Sequence, residues 1–166
     1  MAEDLNIISG TKTEQYESLF PQIVGLMEGE TDLIANLANV VASLKEQFDW
    51  LWVGFYVVKA PAQASTTMDD ELVLAPFQGP VACTRIKKGR GVCGTCWQQA
   101  TTIIVADVEK FPGHIACSSL SKSEIVVPVI RNGVILGVLD ADSKELNHFD
   151  ETDKFYLEKI VELIQF

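Results

Sequence analysis

Four cysteines, Cys83, Cys93, Cys96 and Cys117, have the widest chemical reach in this chain of 166 residues, and Glu124 follows the last of them by seven positions. Three of them fall within fourteen residues of glycine-rich sequence. A thiolate can serve as nucleophile, metal ligand or electron donor, so function is expected to run through this group. Spacing separates the options. Cys93-x-x-Cys96 is half of a structural zinc site that Cys83 and Cys117 could complete, but those two stand 34 positions apart instead of forming a second knuckle. Cys-Gly-Thr-Cys at the start of a helix running to Ala100 also reads as a thioredoxin-like dithiol, although that motif belongs in a βαβ setting. Cys93-Gly94-Thr95-Cys96-Trp97 comes within one residue of a papain-type signature with Cys96 as nucleophile. That family needs a histidine roughly 130 to 150 residues downstream, and only 70 residues follow Cys96. His114 and His148 lie 18 and 52 positions on. His114 could act as base to a thiolate on another fold, and its plainer role is a local hydrogen bond.

Composition narrows the setting. A chain this long buries roughly 70% of the surface its unfolded form exposes, enough for a core without disulfide staples, and it suits one domain over residues 1–166. The acidic, polar start MAEDLNIISGTKTEQ has no basic stretch with an apolar core, and no apolar run approaches the ~18 residues of a membrane span. The expectation is a soluble, cytoplasmic protein, where cysteines stay reduced unless they cycle. The net charge is −10, which argues against nucleic acid and anionic membranes as partners. The single basic cluster, Arg85, Lys87, Lys88 and Arg90, reads as a solvated loop or as support for thiolates at Cys83 and Cys93.

The elements that must position these residues follow from periodicity. Tyr16, Leu19, Phe20, Ile23, Val24 and Met27 step by three and four, giving a helix over about 13–27 that Pro21 kinks or breaks. Thr31-Asp32 opens a second helix from Leu33 to Phe48. Residues 50–58 are aromatic and β-branched and read as a strand, and the polar loop 61–70 precedes another from Glu71 to Ala75. Asn132-Gly133 between EIVVPVIR and VILGVLD signals a hairpin. Asp150-Glu151-Thr152-Asp153 opens a terminal helix over 150–166. The expected fold is α+β, with helices over 1–48, a mainly antiparallel sheet with active-site loops over 50–142, and the terminal helix.

The segments WVGFYVV, APFQGPVACTRI, GRGVCGT, FPGHIACSSLSKSEIVVP and GVILGVLDADS, in that order, resemble the free methionine-(R)-sulfoxide reductases, which are built on a GAF domain. The resemblance implies that Cys117 attacks, Cys83 resolves, and Cys93 occupies a second resolving position. It implies acidic site residues at Glu124, Asp140 and Asp142 and aromatic pocket residues at Trp52 and Tyr56. Cys96 departs from the family pattern. Asp140 and Asp142 share one face of a strand, and Glu124 begins its hairpin partner. Without the resemblance, Asp140–Ser143 would read as a strand end. Trp52 and Tyr56 have equal parity with Gly54, which suits core packing or a methyl-binding gap beside the glycine.

The implied reaction needs a thiolate to attack sulfur while the oxygen is protonated. A carboxyl kept protonated by neighbouring carboxylates can give that proton, and the others can hold the ammonium group of a free amino acid. A sulfenic acid forms, condenses to an intramolecular disulfide and is recycled by thioredoxin, with no metal or organic cofactor. The family also implies a homodimer. A GAF-type sensor without turnover is the alternative, because fold alone does not decide function.

Overall fold

The computed structural model describes residues 4–60, 69–115 and 118–165, so most of the polar loop 61–70 and Cys117 itself lie outside the described residues. Two helices open the chain. The first, α1, runs Lys12–Met27 from a Thr11–Glu14 capping box. Pro21 lies within it, so it neither ends the helix nor marks a break. Asp32 caps α2, Leu33–Phe48, by accepting from Ala35 N.

Six strands then form one antiparallel sheet: β1 (Trp52–Lys59), β2 (Glu71–Gln78), β3 (Arg85–Lys87), β4 (Ile103–Val105), β5 (Ser123–Arg131) and β6 (Val134–Ser143), in the order β3-β2-β1-β6-β5-β4. The hairpin turn between β5 and β6 has Asn132 at φ 51° and Gly133 at φ 77°, the left-handed pair a tight hairpin requires. A short helix, α3 (Gly91–Gln99), separates β3 from β4, and α4 (Glu151–Val161) closes the fold from a capping box at Asp150.

Strand alternation divides the buried residues into two cores. Val53, Phe55 and Val57 of β1, Ile125 and Val127 of β5, and Leu139 and Ala141 of β6 pack under α1, α2 and α4. Their neighbours one position away, Trp52, Tyr56, Val126 and Val138, point to the other face with Val92, Cys93, Cys96 and Trp97 of α3. Gly94 lets α3 approach closely, because a Cβ there would stand 2.4 Å from the Lys87 carbonyl oxygen. The start of the helix that carries two cysteines is thereby held against the end of β3 and the turn at Gly89.

Candidate active site

Register alone assembles the acidic group. Trp52 of β1 pairs with Asp142 of β6, which pairs in turn with Glu124 of β5, and Asp140 lies two residues along the same face, opposite Gly54. These side chains line a pocket of about 610 Å³, including its open mouth, together with Tyr56, Cys93 and the loop residues Pro80, Ala82, His114, Ile115 and Ser118. Of the residues expected at the site, Trp52, Tyr56, Cys93, Glu124, Asp140 and Asp142 are brought together here. Half-buried Cys83 follows the pocket-lining Ala82 and is disulfide-bonded. Tyr56 O–H donates to the Cys83 carbonyl oxygen at 3.1 Å, tying that loop to the sheet.

Glu124 and Asp140 are each only 6% exposed. Burial, followed by the charges of Asp140 and Asp142, pushes the Glu124 carboxyl well above the usual range. Burial and the Asp142 charge do the same to Asp140, opposed by hydrogen bonds received from Cys93 and Glu124. Asp142 is raised to about 6, mainly by burial, and Ser121 Oγ–H donates to its Oδ1. Asp140 Oδ1 is buried without a hydrogen-bond partner among the described residues. Such an atom is rare in a folded protein and can accept a hydrogen bond from a group bound in the pocket.

The two cysteines of α3 differ in position. Cys93 lines the pocket and donates to Asp140. Burial first, then the charges of Asp140 and Glu124, push its thiol up. Cys96 is fully buried behind it, 3.6 Å from the Val126 carbonyl oxygen, and its thiol is also raised by burial. Both thiols are free. The charges acting on Cys93 are therefore carboxylates, which corrects the reading of the basic cluster as support for a thiolate there. Arg85 instead pairs with Glu71 at 3.0 Å, and Lys88 lies over the Trp97 ring.

The aromatic wall is also closed differently from the expectation. A Cβ at Gly54 would meet Phe77 at 2.4 Å and the Trp52 ring at 2.6 Å. The space beside this glycine is thus filled by the indole, which stacks on Phe77 and Tyr56 and donates from Nε1 to the Pro80 carbonyl oxygen.

A GAF domain family model matches residues 29–166. The chain belongs to the GAF domain family. It is 65% identical over 164 residues to GAF domain-containing protein A of Dictyostelium discoideum, covering 99% of each chain. It is 44% identical over 151 residues to the free methionine-R-sulfoxide reductase of Escherichia coli, covering 90% of this chain and 86% of that one. Among solved structures it matches the free methionine-R-sulfoxide reductase of Neisseria meningitidis in complex with its substrate, at 52% identity and TM-score 0.91, over 98% and 93% of the two chains. Within the GAF domain family, then, this chain is closely related to these reductases.

Two polar residues of this GAF pocket escaped sequence reasoning in these roles. Ser121 holds Asp142, and nothing in SLSKSE marks one serine above the others. His114 Nε2 lies 3.9 Å from Glu124 Oε2, and burial lowers its pKa, so it faces the carboxyl as a neutral ring. The sequence offers His114 as base to a thiolate or as a local hydrogen-bonder, and the folded chain places it beside the Glu124 carboxyl.

Proposed function

We propose that the protein reduces free methionine-(R)-sulfoxide to methionine, using Cys117 as the attacking thiolate. The observation that carries this reading is the convergence of Glu124, Asp140 and Asp142 on one aromatic-walled pocket flanked by Ala82 and Ser118, the sequence neighbours of Cys83 and Cys117. The unpartnered Asp140 Oδ1 and Asp142 receive the substrate's ammonium group, and the Trp52 and Tyr56 rings receive its methyl end. Cys117 attacks the sulfur. Glu124, whose burial beside Asp140 and Asp142 favours its protonated form, delivers a proton to the sulfoxide oxygen as the S–O bond breaks. The protonated oxygen passes to the Cys117 sulfur as the bond between Cys117 and the substrate sulfur breaks, its electron pair leaving with methionine, so Cys117 becomes a sulfenic acid.

Cys83 then condenses with it, releasing water and forming a disulfide. Support for this pairing comes from the disulfide at Cys83 and the free thiols at Cys93 and Cys96. Cys83 is also half-buried where Cys93 is buried, so a protein dithiol reaches it more easily. Thioredoxin returns both thiols by exchange, and Cys93 serves as a second, slower resolving thiol because its high pKa leaves little thiolate. Incubating the protein with free methionine-(R)-sulfoxide and a thioredoxin system should release many methionines per chain. Tight binding of the sulfoxide with no methionine formed would instead make it a sensor.

A further inference from the structure

Cys93, Glu124 and Asp140 have donor chemistry beyond the proton relay. One sulfur and one oxygen from each carboxyl all lie within 4.8 Å of one another, contributed by α3, β5 and β6. The three side chains are 4%, 6% and 6% exposed. Ligands of a single tetrahedral ion, with bonds of about 2.0 to 2.3 Å, stand roughly 3.5 Å apart, so small side-chain adjustments close this set on one centre. A second observation is independent of that spacing. Asp140 Oδ1 is buried, unpartnered among the described residues, and belongs to a side chain that lines the pocket.

We propose that the reduced protein binds a thiophilic divalent cation of the Zn²⁺ type at Cys93, Glu124 and Asp140, and that this occupancy holds the enzyme inactive. One soft sulfur with two carboxylates suits Zn²⁺ or Co²⁺, whereas Mg²⁺ and Ca²⁺ take six or more oxygens. A fourth position remains for water or for His114, whose Nε2 is 3.9 Å from Glu124 Oε2. Binding is not a redox step. The Cys93 S–H and Glu124 O–H protons are displaced to solvent as metal–sulfur and metal–oxygen bonds form. The inhibitory part rests on the function proposed above: a metal-bound Glu124 carries no proton, and Asp140 Oδ1 cannot serve an ammonium group and an ion together.

The test adds Co²⁺ to reduced, chelator-treated full-length protein carrying Cys83→Ser and Cys117→Ser, which removes the other site thiols as ligands. The expected result is one equivalent of bound Co²⁺ with tetrahedral visible absorption and a near-ultraviolet sulfur-to-cobalt charge-transfer band, both removed by Zn²⁺. Losing an outer partner of a metal ligand already costs about 10–100-fold in affinity. Adding Cys93→Ser should therefore abolish the charge-transfer band and weaken binding at least about a hundredfold, and Asp140→Asn should weaken it comparably. Absence of the band, or its survival in Cys93→Ser, overturns the site. If Cys93→Ser does not fold, undiminished affinity in Asp140→Asn overturns it equally. Free methionine, added as an unreactive competitor, should weaken Co²⁺ binding. If the band forms and methionine does not compete, the cation site stands while the inhibition and the ammonium assignment fall together.

Discussion

Leu139 and Asp140 are neighbours in β6 yet belong to different media. Leu139 packs under α1, α2 and α4 among apolar side chains, while Asp140 faces the pocket beside Cys93 and Glu124. The same alternation separates Ile125 from Glu124 and Val53 from Trp52. On the helix-covered face hydrophobic burial and dispersion dominate, with buried Asp153 held by Tyr16 and Lys12, and these contacts favour folding whatever the substrate. On the pocket face, buried carboxyls oppose folding when ionised, and a proton or a ligand relieves them. One strand can thus carry both jobs, with the stability of one face offsetting the strain of the other.

The largest break should come from Cys117→Ser, which removes the proposed nucleophile. Turnover of free methionine-(R)-sulfoxide should fall on the order of a thousandfold or more, with the thermal transition unmoved. Retention of a tenth of the activity would reassign the attacking thiol. The paired substitutions Leu139→Ala and Asp140→Asn sharpen the contrast directly. The first should lose roughly 2 to 5 kcal/mol of stability, with kcat of the folded fraction nearly unchanged. The second should lose about ten- to a hundredfold in kcat/KM while gaining stability at neutral pH. Equal effects of the two on both measurements would erase the division between faces.

Cys83→Ser should still release about one methionine in a single turnover, but steady cycling with thioredoxin should drop about tenfold, the remainder passing through Cys93. Unchanged cycling, with peptide mapping of the oxidised protein, would place resolution elsewhere. The smallest effect is on stability against pH. Asp142 is held at about 6, and Glu124 and Asp140 are raised in the same direction. Between the unfolded carboxyl value of ~4 and these raised values the folded chain binds more protons than the unfolded one, so stability should fall as pH rises through this window. Denaturant midpoints at about pH 5 and about pH 8 should show the decline, flattened in Asp140→Asn.

Much of this was legible before the fold was seen. The helix Leu33–Phe48 falls where its apolar stripe and its Asp32 cap place it, and Asn132-Gly133 fixes the hairpin that brings Glu124 opposite Asp142. The three-residue strands Arg85–Lys87 and Ile103–Val105 were not legible, because so short an edge segment leaves no alternation to read. Of the two readings of Pro21, the break does not occur, for α1 continues on either side of it. The filled space at Gly54 and the carboxylate neighbours of Cys93 depend on Phe77 and on the docking of α3, contacts between distant parts of the chain that local spacing does not encode.

The central claim is that the carboxylates of the pocket face read the charge on a free amino acid. Rates with free L-methionine-(R)-sulfoxide and with its N-acetylated form, measured side by side on the wild type, test it most directly. The acetyl form has no ammonium group, so it should lose about ten- to a hundredfold in kcat/KM, the worth of one charge-assisted hydrogen bond in a sheltered site. Asp140→Asn should then act on it little further. Equal reduction of the two substrates by the wild type would contradict the account and leave the acidic group without its ligand.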